Sequence, residues 1–315
     1  MRVKHHGRGA DGLHVVQAAG ILHAGDEGGP CPVHHRPGAR RGGVGREHDL
    51  ANREADVRVS DDRAIRPHFD GCRRGFQSSC VQREFMSGAQ APRARVPLAD
   101  GTLLATPELP PDDLIPSLLA VSDVLGTGWY AADAARVQEG STVAVVGDGA
   151  VGLMGVLAAK QMGAARIIAM SRHKTRQDLA LEFGATDIIT ERGDEGVSQV
   201  KALTEGVGAD SVLECVGTME SMTQAIQCAR PGAMIGYVGV PHGVHLDGQK
   251  LFFSQTGMLG GPAPVRRFLP DLIDRVLARE INPGKVFDLT LPLADVAEGY
   301  RAMDERRAIK TMLRV

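Results

Sequence analysis

Two cysteines eight positions apart, Cys72 and Cys80 in CRRGFQSSC, sit in a polar, arginine-containing stretch. Thiolates at that spacing suit part of a zinc knuckle, and a structural zinc site takes four ligands. A second chemistry lies downstream. Gly147-Asp148-Gly149-Ala150-Val151-Gly152 follows the apolar run TVAVV and leads into LMGVLAAKQMG. The first glycine suits a tight turn, the second lets backbone approach a pyrophosphate, and the third lets helix and strand pack closely. Free N–H groups and partial positive charge at the helix start suit the phosphates. Glycines at this spacing are a weak signal alone; their place between a β-branched strand and a helix points to a dinucleotide.

The second strand carries the next choice. A site for NAD usually has Asp or Glu about 20 residues past the glycines, on the ribose 2′-hydroxyl. This chain has Ser171 there, then Arg172, His173, Lys174 and Arg176. No carboxylate stands at that position to repel a 2′-phosphate. Ser171 can donate a hydrogen bond to it, Arg172 can pair with it and stack on adenine, and Arg176 adds positive potential. The expected coenzyme is NADP.

These residues need a parallel sheet to hold them. After the glycine turn the pattern alternates: strand RIIAMS, helix KTRQDLALEFG, strand TDIIT, helix VSQVKALTEG, strand DSVLECVG, helix MESMTQAIQCARPG, strand AMIGYVGV and a last strand TGMLGG. Alternating β and α predicts a doubly wound α/β fold with ligand at the carboxyl ends of the strands. Ahead of it, PDDLIPSLLAVSDVLGTGWYAADAARV has helix character, with Gly126 and Gly128 expected to break it. Trp129 and Tyr130 are expected in the core at a domain junction.

Composition sets the bounds. A chain of 315 residues, 43% hydrophobic, is long enough for two domains. The formal charge of −2 gives no basic footprint for nucleic acid. No run approaches the roughly 18 apolar residues of a membrane span, and the first residues lack the order of a signal peptide. Five cysteines suit a reducing cytoplasm. The texture is uneven: residues 1–71 hold eight of the eleven histidines and one aromatic, Phe69. They show no sustained period and little apolar surface to offset the roughly 1–2 kcal/mol per residue that ordering costs. A polar, disordered stretch is expected there.

The glycine turn together with FGATDII, ECVGT, GYVGVPHG and AIKTMLRV resembles the medium-chain, zinc-dependent alcohol dehydrogenase family over about residues 72–315. SDVLGTGW places the likeness nearest an NADP-type branch. The resemblance implies a Rossmann sheet plus an incomplete second, catalytic, GroES-like domain. The implied division is a non-homologous 1–71, a catalytic remnant 72–125, an NADP-binding domain 126–268, and a return to the catalytic domain over 269–315. It implies coenzyme contacts from Gly147, Gly149, Val151 and Gly152 at the pyrophosphate, and from Ser171, Arg172 and Arg176 at the adenosine ribose. Cys215, Val216 and Gly217 would lie beneath the nicotinamide ribose, Val238, Gly239 and Val240 along the carboxamide, and Lys310 on the pyrophosphate.

It also implies zinc. A catalytic zinc has three protein ligands and an open position, and it makes an alkoxide accessible near neutral pH. Asp123 matches the last of those ligands. The first two belong in CGSD-like and GHE-like segments upstream of residue 72, and this sequence has neither. Cys72 and Cys80 match the last two ligands of the family's structural knuckle, but Phe69 and Arg66 stand where the others belong. The match stops at about Gly71, as it would if residues 1–71 were read in another frame. The leading expectation is an alcohol or aldehyde oxidoreductase using NADP(H), inactive if its upstream ligands are missing. A zinc-independent quinone reductase and a non-catalytic NADP-binding protein are the alternatives. Because the family's last coenzyme-domain strand commonly lies near a dimer interface, TGMLGG implies a homo-oligomer.

Overall fold

A computed structural model describes residues 77–79, 90–91 and 103–315. The expectations for 1–71 and for Cys72 and Cys80 fall outside the described residues. The first long element runs through α1 (Ile115–Ala120), a π-helical turn at Val121–Leu125 and α2 (Gly126–Ala134). Then β and α alternate: β1 (Thr142–Val146), α3 (Ala150–Gln161), β2 (Arg166–Met170), α4 (Lys174–Glu182), β3 (Asp187–Ile189), α5 (Gly193–Leu203), β4 (Ala209–Glu214), α6 (Met219–Cys228) and β5 (Ala229–Tyr237). The short α7 (Gly248–Ser254) precedes β6 (Gly257–Gly260), and α8 (Val265–Leu277) follows it. A small unit of β7 (Phe287–Pro292), α9 (Val296–Asp304) and β8 (Lys310–Arg314) ends the chain.

The six strands form one parallel sheet in the order β3-β2-β1-β4-β5-β6. That is the doubly wound Rossmann order, with its switch point between β1 and β4. Strand β1 explains why the sheet is covered on both sides. Val143 and Val145 enter the core shared with α2, α3 and α8, while Ala144 and Val146 enter the core shared with α5 and α6. Alternate side chains of a strand point to opposite faces, so a run apolar at every position is buried twice. All four residues are at most 4% exposed.

The glycines expected to interrupt the 115–134 helix do not. Gly126 and Gly128 lie in α2, and both are buried. A Cβ on Gly126 would sit 2.6 Å from Val265 Cγ1 in α8, and one on Gly128 would sit 2.6 Å from the Gly155 nitrogen in α3. Close helix approach, rather than chain reversal, fixes both positions. Trp129 and Tyr130 pack in the core as expected, at 8% and 4% exposure.

The terminal unit is tied back to α1. Ser117 Oγ donates to Asn282 Oδ1 at 2.9 Å and accepts from the Gly284 N–H at 3.1 Å. Strands β7 and β8 pair in parallel, with α9 between them in sequence. The segment just ahead of β7 therefore closes on the helix that precedes the sheet.

Gly128→Ala tests the helix contact. Alanine gains up to about 1 kcal/mol of helix propensity, but overpacking against backbone costs about 1–3 kcal/mol. The backbone of α3 cannot rotate aside as a side chain can. A net loss of roughly 1–2 kcal/mol in urea or thermal unfolding is expected.

Candidate functional site

Sheet register places the site. Val146, Met170, Ile189, Glu214, Tyr237 and Gly260 are aligned partners across the six strands. The next residues continue the ladder: the Ser171 N–H donates to the Ile189 carbonyl at 2.9 Å, Cys215 to Val146 at 3.0 Å, and Val238 to Glu214 at 2.9 Å. Three of the expected contact segments thus begin side by side, one residue past their strands.

At the switch point the glycine turn behaves as expected. Gly147 has φ +114°, a value that side-chain-bearing residues rarely adopt, and its missing Cβ leaves room for Val216. A Cβ on Gly152 would overlap the Gly147 carbonyl oxygen, whereas Gly149 faces open space with nothing within 4 Å. Helix α3 starts at Ala150 without a side-chain cap on its first turn. Open space, a close-running backbone and an uncapped helix N-terminus fit a pyrophosphate. Val151, partly buried, is the second residue of that helix.

Toward β2, one expectation needs correcting. Asp148, the variable residue between the first two glycines, is 7% exposed and binds inward. Its Oδ2 accepts from Ser171 Oγ at 3.0 Å, and its Oδ1 meets Arg176 Nη1 at 3.2 Å. Ser171 and Arg176 are themselves 3% and 4% exposed. The Ser171 hydroxyl proton is therefore committed to Asp148, and Arg176 is a buried counter-ion rather than a free phosphate ligand. Burial pushes the Asp148 carboxyl up, but the Ser171 hydrogen bond and the Arg176 charge outweigh it and hold the group below its ordinary range.

Arg172 is exposed at the same tip. Arg192, three residues past β3, was not foreseen. Partial burial and the charge of Arg172 push its guanidinium below the ordinary value, Asp148 pulling the other way and Arg306 adding to the repulsion. Neither Arg172 nor Arg192 has an ion-pair partner among the described residues. Two unpaired guanidinium groups at the tips of adjacent strands make an anion-attracting edge. The available signal was the arginine at the same kind of strand end, in IITERGDEG.

On the other side of β1, the loops after β4 and β5 interlock. Gly217 has φ +92°, and a Cβ there would overlap the Val240 carbonyl; one on Gly239 would overlap the Gly217 nitrogen. Cys215, Val216, Gly217, Val238, Gly239 and Val240 are therefore brought together. Val216 and Val240 are 46% and 39% exposed. Burial, with the Glu214 carboxyl adjacent, pushes the Cys215 thiol far up, so it packs rather than reacts.

Asp123 lies in the π-helical turn, a feature often found at functional sites. Its Oδ2 accepts from Lys310 Nζ at 2.9 Å. The residue expected on zinc and the residue expected on pyrophosphate are thus each other's partner. Among the described residues, no three His, Cys, Asp or Glu side chains gather as a metal site. Those residues alone do not fit zinc.

A parallel six-stranded sheet with a glycine turn at its switch point defines a Rossmann-type α/β fold. Residues 150–275 match the family model for zinc-binding dehydrogenases. A probable zinc-binding alcohol dehydrogenase of Mycobacterium tuberculosis is 37% identical over 218 residues, 68% of this chain and 55% of that protein. An NADP-dependent isopropanol dehydrogenase of Clostridium beijerinckii is 38% identical over 56% of this chain and 52% of its own. Among solved structures, alcohol dehydrogenase TADH from Thermus sp. ATN1 superposes with a TM-score of 0.71 at 27% identity, covering 79% of this chain and 74% of that one. The chain belongs to the medium-chain, zinc-type alcohol dehydrogenase family. It spans about half the length of the curated relatives it matches.

Asp148→Asn tests the buried pair. It leaves Arg176 buried without its counter-ion, a change that costs about 3–5 kcal/mol. The wild-type contribution is whole above 3.8, the ordinary carboxyl value, and fades as pH falls through the lower folded value. Urea unfolding is expected to show a wild-type-to-variant gap that is largest near neutrality and shrinks below that value.

Proposed function

We propose that this chain binds NADP(H) and belongs to an oxidoreductase that moves hydride between an alcohol or aldehyde and that coenzyme. The observation that carries the reading is the β2 tip: Ser171 where a ribose-binding carboxylate would stand, with Arg172 exposed beside it. Asp148 does not undo this, because its charge is met by Arg176 and Ser171. The amides at the start of α3 would take the pyrophosphate. Arg172, with Arg192 near it, would take the 2′-phosphate. The exposed faces of Val216 and Val240 would meet the nicotinamide half. Hydride exchange is the chemistry a bound nicotinamide supplies there.

The domain division fits the same reading. Residues 126–268 hold the coenzyme, and 269–315 return to the body begun by 72–125. The ion pair between Lys310 and Asp123 is one of the links between them. Strand β6 lies at the sheet edge with Leu259 42% exposed, as a homo-oligomer contact would need. No helix of the described residues is long and apolar enough to cross a membrane. A second reading is a coenzyme-binding protein without catalysis, in which Asp123, the expected zinc ligand, serves as the partner of Lys310. It predicts NADPH binding with no turnover of any alcohol after zinc is supplied.

Fluorescence titration separates the coenzymes. NADPH is expected to bind at least about tenfold tighter than NADH, or about 1.4 kcal/mol. Arg172→Ala should erase most of that preference by weakening NADPH far more than NADH. Tighter binding of NADH by the wild type would remove the assignment.

A further inference from the structure

Glutamate is almost never fully buried unless paired. Glu214, the last residue of β4, is 0% exposed. It has no cationic partner among the described residues. Instead, Glu214 Oε1 accepts from the Val216 N–H at 2.9 Å, the Gly217 N–H at 2.8 Å and Ser221 Oγ at 2.7 Å. Its Oε2 has no hydrogen-bond partner. Leaving a buried polar atom unsatisfied is costly, so the position is poorly explained by stability alone.

The backbone of the same residue makes the second connection. The Glu214 carbonyl accepts from the Val238 N–H at 2.9 Å and the Gly239 N–H at 3.3 Å. Its side chain holds the loop after β4, and its main chain holds the loop after β5. These loops already interlock at Gly217, Gly239 and Val240. The first loop is further pinned by a capping box, in which Thr218 and Ser221 exchange hydrogen bonds at the start of α6. Ser221 gives its hydroxyl to Glu214 as well.

We infer that Glu214 is the positioning residue for the nicotinamide half of the coenzyme cleft. Its buried carboxyl fixes the Val216–Gly217 backbone against the loop after β5, and the exposed Val216 and Val240 side chains form a preset floor. The inference rests on the coenzyme reading above. Its effect is confined to one half of the site, because the Asp148–Ser171–Arg176 cluster organises the adenosine half from the other side of β1.

The test uses two probes and two variants of the full chain. NADPH reports both halves of the cleft; adenosine 2′,5′-bisphosphate reports the adenosine half alone. Glu214→Asp withdraws the carboxyl by one methylene, so it no longer reaches the Val216 and Gly217 amides. It is expected to weaken NADPH about tenfold while leaving the bisphosphate within about twofold, and to lose the shift in nicotinamide emission. Glu214→Gln keeps an acceptor at the Oε1 position and is expected to hold NADPH within about threefold of wild type. Equal NADPH binding by E214D and wild type, or parallel loss of both probes by E214D, overturns the inference. A wild type that binds neither probe overturns the coenzyme reading and this inference with it. Hydrogen exchange on the unliganded wild type gives a reading independent of variant folding: the Val216 and Gly217 amides are expected among the slowest loop amides. Fast exchange there also overturns it.

Discussion

The site depends on a single geometric constraint: six parallel strands end level. Once Val146, Met170, Ile189, Glu214 and Tyr237 share a row, the residues after them must share the space above it. Register in a parallel sheet buried on both faces is not free to slip, because a one-residue shift would swap the side chains of each strand between two differently packed cores. Core packing of β1 on both sides thus fixes, at a distance, where Gly147, Ser171, Cys215 and Val238 stand. Little of the site's geometry has to be specified by the loops themselves.

What the loops add is held by two acidic residues on opposite sides of β1. Asp148 turns inward and fastens the tip of β2 through Ser171 and the start of α4 through Arg176. Glu214 turns inward and fastens the turn after β4. Asp148 spends both oxygens on the protein and Glu214 spends Oε1 while its Oε2 stays buried, so neither carboxyl is exposed to the cleft. Binding an anionic ligand next to buried acids is then electrostatically tolerable, and Arg172 and Arg192 set the sign of the β2–β3 edge. A buried acid that orients backbone limits the reorganisation left for binding.

The alternation of strand and helix was legible because period and length carried it: each strand is a short apolar run and each helix a longer run that, α3 apart, mixes polar with apolar residues. The glycine motif was legible because its spacing is set by backbone sterics, which Gly147 and Gly152 bear out. Other features failed for identifiable reasons. Gly126 and Gly128 read as breakers because a glycine's local effect and its packing effect look alike until the partner helices are placed. Helix α7 went unseen because none of its residues is fully buried and only Leu251 packs against the core. Asp148 hid in a variable position of a motif, and its partner, Arg176, read as a ligand. Glu214 was only the polar end of an apolar strand. Partnership across strands has no signature in a single linear pattern.

The Asp123–Lys310 pair shows the same limit from another direction. Both side chains are partly exposed, at 41% and 25%, so the pair contributes little to stability, about 0–1 kcal/mol. Its importance is geometric. Asp123 stands on the π-helical turn that packs on the coenzyme body, and Lys310 opens the last strand of the returning unit. A weak contact between two strong bodies can break without unfolding either. Lys310 can then leave Asp123 at low cost, whereas Arg176, buried against Asp148, cannot leave its partner so cheaply. Burial, more than residue type, therefore decides which basic groups of this chain are available to a ligand and which are structural.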